Sequence, residues 1–496
     1  MKEKTKANLF ETATMIFILI ISGILVFKEK LGDLDEIWQY SFAKNILSGL
    51  VPYRDFNMIT TPLFSFLGAI ILKIVANELI IMRVYNFIIF SSILITCYRI
   101  FKLLNVNLSI SALLTFIMYL LFKYDLGIEY NYLILLIVLL SLYIELYRTN
   151  KYGIFDCKNE IFLGALMGLT IITKHTIGIL LTVMYCLYKI IFVNNKKELK
   201  EFFKISILRI IGAVIPVIIL LMYLILNNAL RDFINYTILG ITEFKNKYLY
   251  FNLFFNKNIL IRIFAFIVPI SFLSIFYFIS FKKQRTKELI ILIYSIITFV
   301  GNFPIANSGH FIIYAFPGII YTLYVMYMVL LKIINKKRLK KFLCEFVKSF
   351  VLLFMIFYSI KNIKNIVEIY KKSDLNFDIK YFNGIIINDN LKNNIKTIDE
   401  YIINNSAKTY ILDATASIYM IPIDKYNKDY DMFNKGNFGI NGEDRLISEI
   451  SISENTQFLI LKDEYVKNWQ TPEKIIEFVK KNKNKVGEIK VFDIYE

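Results

Sequence analysis

Long runs of apolar residues, separated by short polar segments, dominate most of the chain. The runs are apolar on all sides, without the alternation at every second position that a membrane β-strand shows. Most of them are close to the roughly 17–25 residues that a helix needs to cross the hydrocarbon core of a bilayer. The predicted spans cover residues 9–27, 79–101, 108–122, 131–148, 161–174, 175–193, 205–226, 259–281, 288–303, 310–331 and 342–360. The pattern therefore predicts an α-helical polytopic membrane protein with about eleven transmembrane helices.

The distribution of lysine and arginine among the loops predicts the orientation of the chain. Cations concentrate at the N-terminus and in alternate loops, which are residues 99–102, 148–158, 196–204, 282–287 and 332–341. The loops between them are poorer in cations, and they are residues 123–130, 174–175, 227–258 and 304–309. Because cation-rich loops stay in the cytoplasm, the N-terminus is expected there, and an odd number of spans places the C-terminus outside.

The segment 61–77, TPLFSFLGAIILKIVAN, is apolar but short, and Lys73 interrupts it. It could cross the membrane, or it could form a helix that lies in the outer interface. Counting it as a span would place every later cation-rich loop outside. The charge distribution therefore favours a helix that lies in or dips into the outer interface.

Residues 361–496 differ from the rest of the chain, since they are rich in asparagine, lysine and aspartate. Short β-like runs at 408–413, 456–461 and 486–495 alternate with helical stretches, which is typical of a small α/β domain. The sequence thus predicts a multi-spanning membrane domain over 1–360 and an extracytoplasmic α/β domain over 361–496. No internal repeat of the kind that many transporters show is visible in the sequence.

Composition agrees with a membrane protein and narrows the candidate chemistry. Apolar and aromatic residues make up 56% of the chain and the mean hydropathy is +0.54, values too high for a soluble protein. The net charge of +18 reflects the cations of the short loops and does not indicate nucleic-acid binding. None of the four cysteines forms a CxxC pair, so neither a zinc site nor a disulfide framework is expected. No cofactor is predicted, and a divalent metal is left open.

The polar loop after the first span carries the clearest candidate chemistry. Four acids, Asp33, Asp35, Glu36 and Asp55, lie in this loop, beside Arg54 and several aromatic residues. A carboxylate at the water side of a bilayer can act as a base on a substrate hydroxyl. The adjacent lipid phase can deliver a second substrate to the same place.

Residues 35–48 of this loop are expected to form a helix, because Trp38 and Phe42 recur at helical spacing on one face. This helix gives the acids an alternative, purely structural role. Asp33 at the N-cap with Glu36 three residues later would form a variant of the capping box, and acids favour a helix N-terminus in any case. The spacing alone does not separate this role from catalysis.

A second acidic loop and several cations are predicted on the same side of the membrane. Asp125 and Glu129 lie in the loop after the third span. Taken alone they favour a solvated turn, whereas two acidic loops on one side favour a shared cleft. Lys174 and His175 fall between two apolar runs with almost no loop, and His310 opens a late span. Further cations on this side are Arg54 and Arg83. Lys174 either snorkels to the interface or binds a phosphate, since a charge at a membrane edge needs water or a partner.

The order of these parts resembles the GT-C superfamily of integral-membrane glycosyltransferases, in particular the protein O-mannosyltransferase and aminoarabinose lipid A transferase group. The similar parts are the acidic pair after the first span, the PYRDF…TPL context, the second acidic loop, the GLTIITK run, an outer histidine before a late span and an outer C-terminal domain. The resemblance implies that Asp35 is the catalytic acid, with Glu36 as its neighbour, and the candidate catalytic residues are Asp35, Glu36 and Asp125. Asp125 is the better match to the acid of the second loop, with Glu129 as the competing residue. Some relatives carry a cation directly before the proline of the TPL segment, where this chain has Thr61.

The resemblance also implies a function, which is transfer of a sugar from a polyprenyl-phosphate carrier to an acceptor outside the cytoplasm. The residues then expected to bind substrate are Arg54, Asp55, Arg83, Glu129, Lys174, His175 and His310. One carboxylate base, with cations to stabilise the departing phosphate, would suffice for an inverting single displacement. Two other functions remain open, a lipid or polysaccharide transporter and a non-catalytic membrane scaffold that displays the C-terminal domain. A transporter would need polar groups at the centres of spans, whereas the charges are predicted mostly at span ends.

Overall fold

The computed structural model describes residues 2–32, 34–58, 60–122, 129–240, 248–334, 337–372, 375–425, 438–440, 442–452, 455–466 and 472–496. The helices of the N-terminal part are α1 (Lys2–Phe27), α2 (Leu34–Leu47), α3 (Leu63–Ile74), α4 (Leu79–Leu103), α5 (Leu108–Leu121), α6 (Tyr130–Tyr152), α7 (Glu160–Ile171), α8 (His175–Leu187), α9 (Lys196–Leu226), α10 (Leu230–Ile234), α11 (Ile259–Phe272), α12 (Ile275–Ser280), α13 (Thr286–Phe299), α14 (Ser308–Ile333) and α15 (Lys337–Lys372). Each predicted apolar run coincides with one of these helices or with two consecutive ones.

Eight segments of the described residues are helical, long and apolar enough to cross a membrane. They are Ala7–Phe27, Leu79–Leu103, Tyr130–Tyr152, His175–Phe192, Lys196–Leu226, Ile259–Ser280, Ser308–Ile333 and Glu345–Lys371. Helices α3, α5 and α7 are apolar but shorter. The prediction of an α-helical polytopic membrane protein is therefore confirmed, whereas the count of eleven spans is not.

Helices α7 and α9 approach each other so closely that glycine is required on both. A Cβ atom added to Gly164 of α7 would lie 2.1 Å from the carbonyl oxygen of Arg209. A Cβ atom added to Gly212 of α9 would lie 2.0 Å from the carbonyl oxygen of Ile161. Small residues of this kind are frequent between membrane helices, because they let the backbones gain van der Waals contact.

A buried ionic cluster joins α6, α7, α9 and the 3₁₀ turn that follows α8. Arg209 donates to Glu160 at 2.5 Å and to Glu145 at 2.7 Å. Lys189 lies 2.9 Å from Glu145 and 3.1 Å from Glu160, and Arg148 lies 3.2 Å from Glu160. All five side chains are buried. All five residues lie near the ends of the predicted spans, which agrees with the expectation of charges mostly at span ends, and their opposite charges neutralise one another in a buried position.

The first-loop helix α2 lies between the membrane helices and the C-terminal domain. The predicted helix over 35–48 is confirmed, and Trp38 and Phe42 lie on a shared buried face. The indole Nε1 of Trp38 donates to the carbonyl oxygen of Ala414 at 2.9 Å. Lys44, at the other end of α2, forms a 2.7 Å ion pair with Asp424. The C-terminal domain therefore lies on the same side of the bundle as the first loop.

The apolar segment 61–77 contains α3, a helix of 12 residues that packs against α2 and α4. A Cβ atom added to Gly68 would lie 2.9 Å from the Cε of Met82 and 3.2 Å from the Cβ of Ala43. The helix predicted for this segment is confirmed. Its depth in the membrane stays a prediction.

The C-terminal part folds around a four-stranded sheet with the strand order β1-β2-β4-β3. The strands are β1 (Lys408–Ile411), β2 (Thr456–Leu461), β3 (Lys485–Ile489) and β4 (Phe492–Tyr495), and the helices are α16 (Asp389–Asn404), α17 (Ser417–Met420), α18 (Gly442–Ile452) and α19 (Glu473–Asn482). Strands β1 and β2 are parallel, whereas β4 pairs antiparallel with both β2 and β3. The α/β character is confirmed.

Two details of the C-terminal part differ from the predicted pattern. The run 486–495 forms a hairpin of two strands instead of one, because the chain reverses at Lys490, where φ is 49°. Helix α15 passes through residue 361 without interruption, so the change in composition falls inside a helix. The boundary between the domains 1–360 and 361–496 stays a prediction.

Candidate functional site

Asp35 lies in the first turn of α2, in a partly buried position. Burial, followed by the negative charge of Glu129, raises the pKa of the Asp35 carboxyl to about 7, and the positive charge of Lys174 opposes the shift. A carboxyl with a pKa near neutrality is well suited to accept a proton from a hydroxyl. The structure thus brings three of the predicted site residues into one electrostatic group.

Lys174 is held against the first turn of α6. It lies at the N-cap of α8, and its Nζ donates to the Oδ1 of Asn131 at 3.3 Å. The same oxygen accepts from the hydroxyl of Tyr314 at 3.0 Å, and the Nδ2 of Asn131 donates to the Oε1 of Glu129. The Nζ of Lys174 also lies 5.3 Å from the centre of the Tyr130 ring, within range of a cation–π contact. One amide therefore connects the cation with the carboxylate.

A cavity of about 500 Å³ opens beside Lys174. Its polar lining includes Lys174, His175 and His310, together with Tyr130 and Tyr314. The Nδ1 of His310 lies 2.9 Å from the Oδ1 of Asn307, which also accepts from the backbone N–H of His310 and caps α14. Both histidines that the sequence predicts for the site therefore reach the same cavity as Lys174.

The apolar wall of the cavity reaches the outer surface of the helix bundle. Leu180 of α8, with Val300 and Phe303 from the segment after α13, line the cavity. The same three side chains are 36%, 47% and 55% exposed, in that order. A long apolar chain bound at the bundle surface could therefore follow this wall toward Lys174.

Glu36 and Arg83 form a buried ion pair away from the cavity lining. Their side chains are 5% and 2% exposed, and Arg83 also donates through Nη1 to the carbonyl oxygen of Glu29 at 2.6 Å. Glu36 lies on α2 and Arg83 on α4, so the pair ties the start of the first-loop helix to a membrane helix. The predicted catalytic role of Glu36 and the predicted contact of Arg83 with substrate stay predictions, and these contacts favour a positioning role for both residues.

Arg54 and Asp55 pair with each other in the turn after α2. The Nε and Nη2 of Arg54 both lie 2.8 Å from the carboxylate of Asp55. Asp55 also accepts from the backbone N–H of Val51 at 2.7 Å, and Arg54 donates to the carbonyl oxygen of Asn227 at 3.1 Å. These contacts hold the turn against the end of α9. Neither residue is among those that line the cavity, and their predicted role in substrate binding stays a prediction.

Two predicted acids, Asp33 and Asp125, lie outside the described residues, so their roles as helix cap and as second-loop acid stay predictions. Within the part of the chain that the structure describes, no group of three histidine, cysteine, aspartate or glutamate side chains is placed to hold a metal ion. The expectations about a metal and about cofactors also stay predictions.

Sequence reasoning missed three residues of this site, Asn131, Tyr130 and Tyr314. Sequence signals could have found two of them, Asn131 and Tyr314. Asn131 follows Glu129 by two positions at the start of a span, where a polar side chain is costly unless it has a partner. Tyr314 follows His310 by four positions, so the two side chains share one face of a helix.

Comparison with known proteins identifies the fold. No family model matches the chain, and no curated protein matches its sequence. Two solved structures of ArnT from Cupriavidus metallidurans match it over nearly its whole length. The apo structure has a TM-score of 0.59 at 10% identity, and the match covers 100% of this chain and 98% of that chain. ArnT bound to undecaprenyl phosphate has a TM-score of 0.58 at 10% identity, with 98% of this chain and 97% of that chain covered.

The fold is the GT-C fold of ArnT. ArnT is an aminoarabinose lipid A transferase, so the resemblance inferred from the order of motifs is confirmed at the level of the fold. At 10% identity the likeness to ArnT shows the fold alone.

Proposed function

We propose that the protein is a membrane glycosyltransferase that moves a sugar from a polyprenyl-phosphate carrier to an acceptor outside the cytoplasm. The acceptor would be a cell-surface glycan, a lipid or a protein. One observation carries the proposal: Asp35, a carboxyl with the character of a base, interacts with Lys174, a cation in a cavity whose apolar wall reaches the bundle surface. The fold shared with ArnT, which binds undecaprenyl phosphate, supports it.

The donor phosphate is assigned to the Lys174 side of the cavity. A phosphate on a prenyl carrier lies at the depth of the membrane interface, where a cation is partly dehydrated and its attraction for phosphate is less screened. His175 and His310 line the same cavity and offer ring nitrogens to the phosphate or to the sugar. The apolar wall that includes Leu180 and Phe303 accommodates the prenyl chain.

Asp35 is assigned the role of general base. It takes the proton from the acceptor hydroxyl while the hydroxyl oxygen forms a bond with the anomeric carbon of the sugar. The bond between that carbon and the phosphate oxygen breaks at the same time, and the phosphate leaves as an anion that Lys174 stabilises. A single displacement of this kind inverts the anomeric centre. Because phosphate is a good leaving group, the paired carboxylates of a glycoside hydrolase are not required.

The transporter alternative gains no support from the charges inside the helix bundle. Glu145 and Glu160 bind cations of the chain itself, Lys189 and Arg209, at 2.5–3.1 Å. None of these four residues lines the described cavity. The cluster therefore has the contacts of a structural tie between helices.

Purified protein supplied with a panel of labelled polyprenyl-phosphate sugars tests the proposed function. Transfer of label to an acceptor, with release of the polyprenyl phosphate, is the expected result. A parallel reaction contains nucleotide sugars and no lipid carrier. Transfer in that reaction would refute the lipid-linked donor, and failure of every lipid-linked sugar to react would refute the glycosyltransferase.

A further inference from the structure

Asn131 connects the cation of Lys174 with the carboxylate of Glu129. Its side chain is fully buried, in the first turn of α6. Oδ1 accepts hydrogen bonds from Lys174 at 3.3 Å and from Tyr314 at 3.0 Å. Nδ2 donates to the carboxylate of Glu129. Both ends of the amide are therefore used, and each faces a group of a different kind.

An amide suits this position because it carries an acceptor and a donor in one rigid plane. An ammonium group can only donate and an ionised carboxylate can only accept, so the partners determine which end of the amide faces which. An aspartate in place of Asn131 would keep the acceptor and lose the donor, and a leucine would lose both. Since the groups are buried, a lost partner is not replaced freely by water.

We propose that Asn131 is a positioning residue for glycosyl transfer, because it sets the distance between the Lys174 cation and the Glu129 carboxylate. Through Lys174 it determines where the donor phosphate is held. Through the balance of the two charges it determines the electrostatic surroundings of Asp35. The reaction itself rests on the function proposed above, whereas the contacts of the amide are independent of it.

The titratable groups around this amide come from several elements. They are Asp35 on α2, Glu129 and Tyr130 at the start of α6, Lys174 and His175 at the start of α8, and His310 and Tyr314 on α14. Glu129 and Lys174 act on Asp35 with opposite sign. A change in the contact between these two groups therefore alters the proton affinity of Asp35 through their charges, in addition to the effect of burial.

Two substitutions of Asn131 separate positioning from packing. Asn131→Asp keeps the size and adds a negative charge beside Lys174, the cation that lowers the pKa of Asp35, so the acid limb of kcat/KM should move to higher pH. Asn131→Leu keeps the approximate volume without polar atoms. It should raise KM for the lipid donor and lower kcat/KM about 10–100-fold, because small displacements of binding groups have large effects on rate.

Tyr314→Phe removes one of the two donors to the Asn131 oxygen and is expected to raise the donor KM less than Asn131→Leu does. Tyr119→Phe is the matched control, since it removes a buried hydroxyl whose partner is Tyr358, 3.2 Å away on α15. Tyr119 and Tyr314 are both 2% exposed. The control should leave the donor KM and the pH profile unchanged.

The outcomes distinguish failure of the proposed function from failure of the positioning role of Asn131. A wild-type protein that transfers sugar from no polyprenyl-phosphate donor refutes the proposed function. The positioning role alone is refuted if the wild type is active and two results hold. The acid limb of the Asn131→Asp variant is unchanged, and the donor KM of Asn131→Leu and of Tyr314→Phe is unchanged. If Asn131→Leu does not fold, Asn131→Asp and Tyr314→Phe decide the question.

Discussion

The guanidinium of Arg83 donates two hydrogen bonds to the carboxylate of Glu36, from Nε at 2.6 Å and from Nη2 at 3.0 Å. Asp35, the adjacent acid, interacts instead with Lys174 and Glu129. Two consecutive acids that look equivalent in the sequence therefore have different surroundings. Glu36 holds α2 against α4, and Asp35 belongs to the charged group that it forms with Lys174 and Glu129.

Asp35→Asn is expected to keep the fold and to lower kcat by about 10²–10⁴-fold, because an amide cannot accept the proton of the acceptor hydroxyl. The measurement is kcat at saturating donor and acceptor, together with the Tm of the purified protein in detergent. Wild-type-like turnover in this variant would show that Asp35 is not the base and would favour a role in helix capping.

Glu36→Gln is expected to lower stability more than turnover, the opposite of Asp35→Asn. It removes the charge that neutralises Arg83 in a buried position, and breaking a buried ion pair typically costs about 3–5 kcal/mol. The Tm should therefore fall further than in Asp35→Asn, while the folded fraction keeps more of its turnover. Equal Tm values for wild type and Glu36→Gln would show that the pair does not hold α2 in place.

The pH dependence of the reaction follows from the pKa of Asp35. Because the base must be ionised, kcat/KM should rise with pH through the pKa of about 7. Lys174 lowers this pKa, so Lys174→Met should move the acid limb to higher pH and also raise KM for the lipid donor. Lys102→Met is the control, because Lys102 pairs with Glu11 at 2.5 Å, far from this site. If Lys174→Met changes neither the acid limb of kcat/KM nor the donor KM, Lys174 has no role in the mechanism.

The buried ionic cluster should be a major determinant of stability. Glu160→Gln leaves Arg209 and Lys189 with one carboxylate between them, and loss of a buried partner typically costs about 3–5 kcal/mol. Thermal unfolding in detergent should show a clear decrease in Tm. Glu449→Gln is the control, since it breaks an exposed pair with Arg445 one helical turn away, and it should change the Tm little. Equal shifts for the two variants would contradict the role of the cluster.

The parts of the fold that the sequence predicts are those that depend on local periodicity. Apolar runs locate the membrane helices, and the spacing of Trp38 and Phe42 locates α2. The contacts of the site depend instead on which helices become neighbours. Asn131 and Tyr314 are 183 positions apart in sequence, and no local pattern indicates that α6 and α14 meet at these side chains. The ionic cluster escapes prediction for the same reason, because Glu145 and Arg209 become partners only after α6 and α9 have both packed against α7.

The orientation of the chain in the membrane can be tested with two exposed positions. The C-terminal domain contacts α2, so residues of that domain lie on the side of the first loop. At the other end of the bundle, Lys287 donates to the carbonyl oxygen of Leu103 at 3.1 Å, which brings two cation-rich loops together. The positive-inside rule places this end in the cytoplasm.

Lys474→Cys and Gln284→Cys are therefore expected to differ in a background without the four native cysteines. Lys474 lies in α19 of the C-terminal domain and Gln284 in the loop before α13, and both are exposed. An impermeant thiol reagent on intact cells should label position 474 and leave position 284 unlabelled. Permeabilised cells, in which both positions should react, provide the control for accessibility. Labelling of position 284 in intact cells would show that the topology is the reverse of the one assigned here. Asp35 and Lys174 would then lie on the cytoplasmic side, where nucleotide sugars are made.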